Sequence, residues 1–114
     1  NATSKKLNEK IERKVYENAL QYNRISNYKS AMIAFDNFIA DYPGTSFKEK
    51  ALYYKFDSAY SLAMNSVYVK MEERLNTAKT CYNNLIKFKP NTEYKSKADE
   101  RLTKVDVELQ KFNK

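Results

Sequence analysis

The sequence predicts an all-α fold, a tetratricopeptide-like right-handed array of about five antiparallel helices. Three observations predict it. Gly occurs once and Pro twice in 114 residues, while Tyr and Phe together supply 16. That balance argues against sandwiches and barrels, which need frequent turns. Apolar residues recur at helical spacing throughout, and no segment alternates as a half-buried strand would. Finally, one pattern occurs twice at a fixed offset of 47: Ala31 with Ala78, Phe35 with Tyr82, Phe38 with Leu85, Ile39 with Ile86, Pro43 with Pro90, Phe47 with Tyr94 and Ala51 with Ala98. Thr45 with Thr92, Lys48 with Lys95 and Lys50 with Lys97 extend the match to the turn and the polar face.

A first helix is expected over about 4–25, with Leu7, Ile11, Val15, Ala19 and Tyr22 on one face. Ser26-Asn27 ends it with poor helix formers. The second, over 28–41, carries Ala31, Phe35, Phe38 and Ile39, and Pro43-Gly44 stops it because Pro has no N–H and crowds the preceding turn. The third is expected over 46–65, packing through Phe47, Ala51, Tyr54, Ala59, Leu62 and Ala63. Thr45 or Ser46 can cap it, and Ser46-Phe47-Lys48-Glu49 reads as a capping box. The fourth, over 70–88, uses Leu75, Ala78, Tyr82, Leu85 and Ile86; the fifth, over 92–112, uses Tyr94, Ala98, Leu102, Val105, Leu109 and Phe112, with Thr92 as cap. Short turns make successive helices antiparallel. Together they form one domain, residues 1–114.

Composition excludes much chemistry. With no His and a single Cys, at position 81, His-based acid–base and nucleophile chemistry, the usual zinc sites and an intramolecular disulfide are all ruled out. Cys81 is expected to be a semi-buried small residue. The pairs Glu72-Glu73 and Asp99-Glu100 point about 100° apart on their helices and read as surface. Gly44 alone cannot form a phosphate-cradling loop. No cofactor, metal or catalytic residue is expected. No apolar run approaches a membrane span and no signal-peptide pattern opens the chain. The start at Asn1 is expected to mark a processed chain or a piece of a longer one, and the terminal Asn1-Ala2-Thr3 sequon carries no weight.

The order Ala19, Tyr22, Ala31, Phe35, Phe38, Pro43 resembles the tetratricopeptide motif, with Val15 where that motif has Trp. The offset of 47 exceeds the family period of about 34, so the third helix and the linker around 64–70 must be longer than in a regular array. The runs at 31–63 and 78–100 resemble more narrowly the BamD/YfiO family of outer-membrane assembly lipoproteins, and AMNSVYVKMEERLNTA at 63–78 resembles its Bacteroidetes form. The resemblance covers about residues 12–112 and places the chain as the C-terminal half of such a protein. It implies a periplasmic scaffold tethered to the inner leaflet of the outer membrane by a lipid outside this chain. It also implies binding to the periplasmic domains of the β-barrel insertase BamA and to other assembly subunits, in aid of outer-membrane protein folding. A Tol-Pal coordinator type of periplasmic adaptor is the runner-up, and a basic helical nucleic-acid binder a more distant one.

Two partner surfaces are expected. If Val15, Ala19 and Tyr22 face the second helix, then Arg13, Tyr16, Leu20, Asn23 and Arg24 occupy the positions of a tetratricopeptide groove, with Tyr16 and Leu20 as an apolar patch between cations. The alternative is that Tyr16 and Leu20 pack against a preceding repeat or the third helix. The second surface is charge. The excess of +7 divides as +4 over residues 1–30, −1 over 31–66 and +4 over 67–114. Lys87, Lys89, Lys95 and Lys97 surround the second Pro turn with only Glu93 among them, a knob suited to an acidic protein surface or anionic lipid heads. No nucleic-acid partner and no small-molecule substrate is expected.

Overall fold

The computed structural model describes residues 2–113. Five helices follow one another: α1 (Ala2–Arg24), α2 (Tyr28–Asp41), α3 (Lys48–Met64), α4 (Tyr68–Phe88) and α5 (Lys95–Gln110), with no strand among the described residues. Each packs on the next, and α1 also touches α3 as α3 touches α5, the contact pattern of a stacked array of helix pairs. The stack is elongated, 61 × 28 × 19 Å. Its radius of gyration of 15.4 Å exceeds the roughly 13 Å of a compact domain this long.

The two Pro turns reverse the chain by one local chemistry and the α1–α2 turn by another. Ser26 closes α1 at φ 64°, the left-handed conformation, with Ser26 N–H bonded to Asn23 O at 3.0 Å and Asn27 N–H to Tyr22 O at 2.8 Å. This paired geometry satisfies carbonyls the helix end would orphan. Asn27 then caps α2 by accepting from Ser30 N–H. After each Pro turn a threonine hydroxyl folds the backbone: Thr45 Oγ1 accepts from Phe47 N–H at 3.1 Å, and Thr92 Oγ1 from Tyr94 N–H at 3.3 Å. These turns delay α3 to residue 48 and α5 to residue 95, later than the spacing predicts.

The expected capping box at Ser46 does not form. Glu49 instead reaches across 43 residues to accept the Thr92 hydroxyl proton, together with Glu93 N–H at 3.3 Å and Lys89 Nζ at 3.2 Å. The first pair does the same: the Thr45 hydroxyl donates to Glu12 Oε2 at 2.6 Å. One turn on from each glutamate a tyrosine stacks on the aromatic ring that follows the turn, Tyr16 on Phe47 at 4.8 Å and Tyr53 on Tyr94 at 4.1 Å. Each unit's first helix thus clasps its own exit turn by a carboxylate and a ring. The clasps stand 37 apart on the first helices but 47 apart at the turns; the connections at 25–27 and 65–67 are equally long, so the ten additional residues extend the end of α3 by three and α4 by seven, and the linker around 64–70 is not lengthened as the repeat offset predicts. Hydrogen bonds from Thr92, then from Lys89, hold the Glu49 carboxyl below its ordinary value of 4.5. A carboxylate stabilised this way contributes fully above its unfolded pKa and loses its contribution as pH falls through the folded value. Glu49→Gln is therefore expected to flatten the acid limb: urea midpoints at pH 6 and pH 3 should differ less in the variant than in the wild type.

Two apolar clusters run along the stack. Tyr16, Ala19, Ala31, Phe35, Phe38 and Ala51 form the first, and Tyr53, Phe56, Ala59, Ala63, Leu75, Ala78, Cys81, Leu85, Ala98 and Val105 the second. Half-buried Tyr54 packs against both. This corrects the expected face of α1. Tyr16 is 6% exposed, whereas Leu7 and Ile11 stand 57% and 46% open and Tyr22 is exposed. Because α1 meets α3 as well as α2, its buried line runs through 12, 16, 19 and 23, with Val15 half-buried against the same cluster as expected and positions 7, 11 and 22 left outside. On α3 the sequence reading missed Tyr53, Phe56 and Ser58. Cys81 is 4% exposed, more deeply set than expected, and burial pushes its thiol pKa up. A thiolate reagent should label it at least about 100-fold faster in denaturant than in native buffer.

Candidate partner-binding surfaces

The face made by the first helix of each unit is a polar network, not an open groove. Asp57, on α3, is its hub. Asn23 of α1 donates Nδ2 to Asp57 Oδ2 and to Ser58 Oγ, both at 2.9 Å. From the other side Arg101 of α5 donates to Asp57 Oδ1 and, at 2.9 Å, to the Tyr53 hydroxyl, while its guanidinium lies over the Tyr53 and Tyr60 rings. Ser58 passes its own proton to the Tyr54 carbonyl at 2.8 Å. Three helices separated in sequence are thereby tied by one carboxylate.

The structure redistributes the first predicted surface. Tyr16 is a core ring packed against Phe35, Phe38 and Phe47, and burial pushes its phenol up to about 12. Leu20 is half-buried against the same cluster. Asn23 belongs to the Asp57 network. Packing against the third helix, the alternative left open for Tyr16, is what the fold adopts. Arg13 stays exposed with its guanidinium 5.0 Å from the Phe47 ring centre, and Arg24 is exposed. The basic knob is half neutralised: Lys89 pairs with Glu49 at 3.2 Å and Lys95 with Asp99 at 2.8 Å. Lys87 and Lys97 remain exposed cations. Asp99 also accepts the Tyr82 hydroxyl, whereas Glu72, Glu73 and Glu100 lie at the surface.

On the opposite side a cleft runs across α3 between α2 and α4. Its floor is one face of α3, Lys48, Leu52, Lys55, Ala59 and Leu62, at spacings of 4, 3, 4 and 3. A Lys55–Asp36 ion pair at 2.5 Å divides it. One half is lined by Met32, Arg74 and Thr77, the other by Ile39, Ala40, Lys87 and Phe88. Among the described residues no group of three His, Cys, Asp or Glu side chains could hold a metal, and no helix is long and apolar enough to cross a membrane.

In a comparison with protein families, the YfiO outer membrane lipoprotein model matches residues 8–112. The chain belongs to the YfiO family. No individual curated protein matches it. Membership associates this YfiO-family chain with the outer membrane, through a family of lipoproteins.

Sequence reasoning missed Asp57, Arg101 and Glu12, and gave Glu49 a local capping role in place of its long-range one. A signal for the clasps existed, since Glu12-x-x-x-Tyr16 recurs as Glu49-x-x-x-Tyr53. Its offset differs from that of the turns, so a search at one period passes over it. Nothing local announces Asp57, whose partners lie 34 and 44 residues away.

Proposed function

We propose that the chain is a non-catalytic protein-interaction scaffold resembling the C-terminal part of BamD. In this reading it aids folding and insertion of outer-membrane proteins by holding the periplasmic domains of BamA and other assembly subunits. The family match over residues 8–112 carries this reading. The array supports it: the buried rings pack internally, Tyr16 on Phe47 and Tyr53 on Tyr94 among them, and the outside carries charged side chains, scattered aliphatics and the exposed rings Tyr22, Tyr68 and Phe88 along an extended surface. Such surfaces bind through a few anchors rimmed by charge. A lipid outside this chain would supply the tether to the inner leaflet of the outer membrane.

A pull-down with the matching BamA periplasmic domains tests the proposal. Wild type should capture them in a salt-sensitive manner. Arg24→Glu/Lys97→Glu, which alters exposed charges and leaves the core intact, should weaken capture at least about tenfold. Absence of capture by folded wild type would overturn the assignment.

A further inference from the structure

We infer that the cleft across α3 receives an acidic segment of a partner protein, with one apolar side chain seated between Ile39, Leu52 and Phe88. The inference rests on the scaffold reading and gives it a binding site and a ligand chemistry. The cleft is built for both kinds of contact. Its floor at this end is aliphatic and aromatic, and Phe88 is 46% exposed although it lines the recess. The ring is covered by Lys48, whose ammonium lies 4.8 Å from its centre. A cation resting on a ring is a replaceable lid: a carboxylate arriving at the rim draws the ammonium outward, and an apolar side chain takes the ring face.

Charge selects the partner. Lys48, Lys55 and Lys87 stand around this end with Asp36 as the acid, and Asp36 is already held by Lys55. Among the described residues no carboxylate pairs with Lys48 or Lys87. A basic segment would therefore meet two uncompensated cations, and a purely apolar one would gain nothing from them. The cations rim a recess between helices, not a flat patch, which favours a segment over a lipid surface.

Fluorescence polarisation with a labelled peptide of alternating Leu and Glu around one Phe, against its Lys-for-Glu counterpart, tests this directly. The acidic peptide should bind at least about tenfold more tightly at physiological salt. Lys48→Glu/Lys87→Glu and, separately, Ile39→Ser should each reduce its affinity about tenfold or more. Lys70→Glu, an exposed change at the start of α4, should leave affinity within about twofold. Circular dichroism confirms that each variant is folded. Equal binding of the two peptides, or insensitivity to the double reversal, would overturn the inference. So would binding to phosphatidylglycerol vesicles that the reversal abolishes when the acidic peptide does not bind. Capture of BamA domains by a wild type that ignores the peptide would overturn the cleft assignment alone, whereas peptide binding without capture would support the cleft and remove BamA as the partner.

Discussion

Tyr16→Ala should destabilise the chain by about 3–5 kcal/mol, the range for truncating a buried aromatic ring. The ring is stacked on Phe47 and tilted against Phe35 and Phe38, so its loss empties the junction of α1, α2 and α3. A domain of this size has about 5–15 kcal/mol in all, so the variant would lie near the edge of folding. Tyr22→Ala, one helix face away and exposed, should cost less than about 1 kcal/mol. Urea denaturation of the two variants measures the difference. The contrast reverses the face assignment that the apolar spacing of α1 suggests. It also means that loss of partner capture by Tyr16→Ala would report unfolding before it reported a binding site.

Asp57→Ala should be the largest single polar effect, about 2 kcal/mol. Removing the carboxylate leaves Arg101 and Asn23, from different helices, without their shared acceptor. Truncating one partner of a fully buried charge pair costs about 3–5 kcal/mol. Here the side chains of Asp57 and Arg101 keep 17% and 30% exposure, so solvent recovers part of that cost. A double-mutant cycle with Arg101→Met isolates the pair, and a coupling of about 1–2 kcal/mol is expected. Coupling near zero would mean that the three helices are held by packing alone. Because Asp57 joins α1, α3 and α5, its loss should also separate the melting of the C-terminal pair from the rest.

Much of this architecture was legible because it is periodic. The offset of 47 between Phe35 and Tyr82, Pro43 and Pro90, and Thr45 and Thr92 placed α2, α4 and both turns. What escaped depends on tertiary choice. Helix α1 has apolar residues on two faces, and only the position of α3 decides that Tyr16 and Ala19 go inside while Leu7 and Ile11 stay out. The Ser46–Glu49 pattern satisfies a local capping rule, yet Glu49 finds a threonine hydroxyl, a backbone N–H and an ammonium on the next turn. Three distant donors outcompete one local amide. Of the predicted surface, Arg13, Arg24, Lys87 and Lys97 stand outside, while Tyr16 and Asn23 are structural. The charged positions were the readable ones, since single exposed cations need no partner to stay where the sequence puts them.

The central claim is that a rigid array of clasped helix pairs presents its outer side chains to a protein partner without rearranging. Amide chemical-shift mapping of the labelled chain against the BamA periplasmic domains tests it most directly. The account predicts saturable shifts confined to exposed positions, including the surroundings of Arg24, Lys87, Phe88 and Lys97, with Ala19, Phe35, Phe56 and Leu85 unmoved. No shifts at saturating partner, or shifts spread through those core amides, would contradict it.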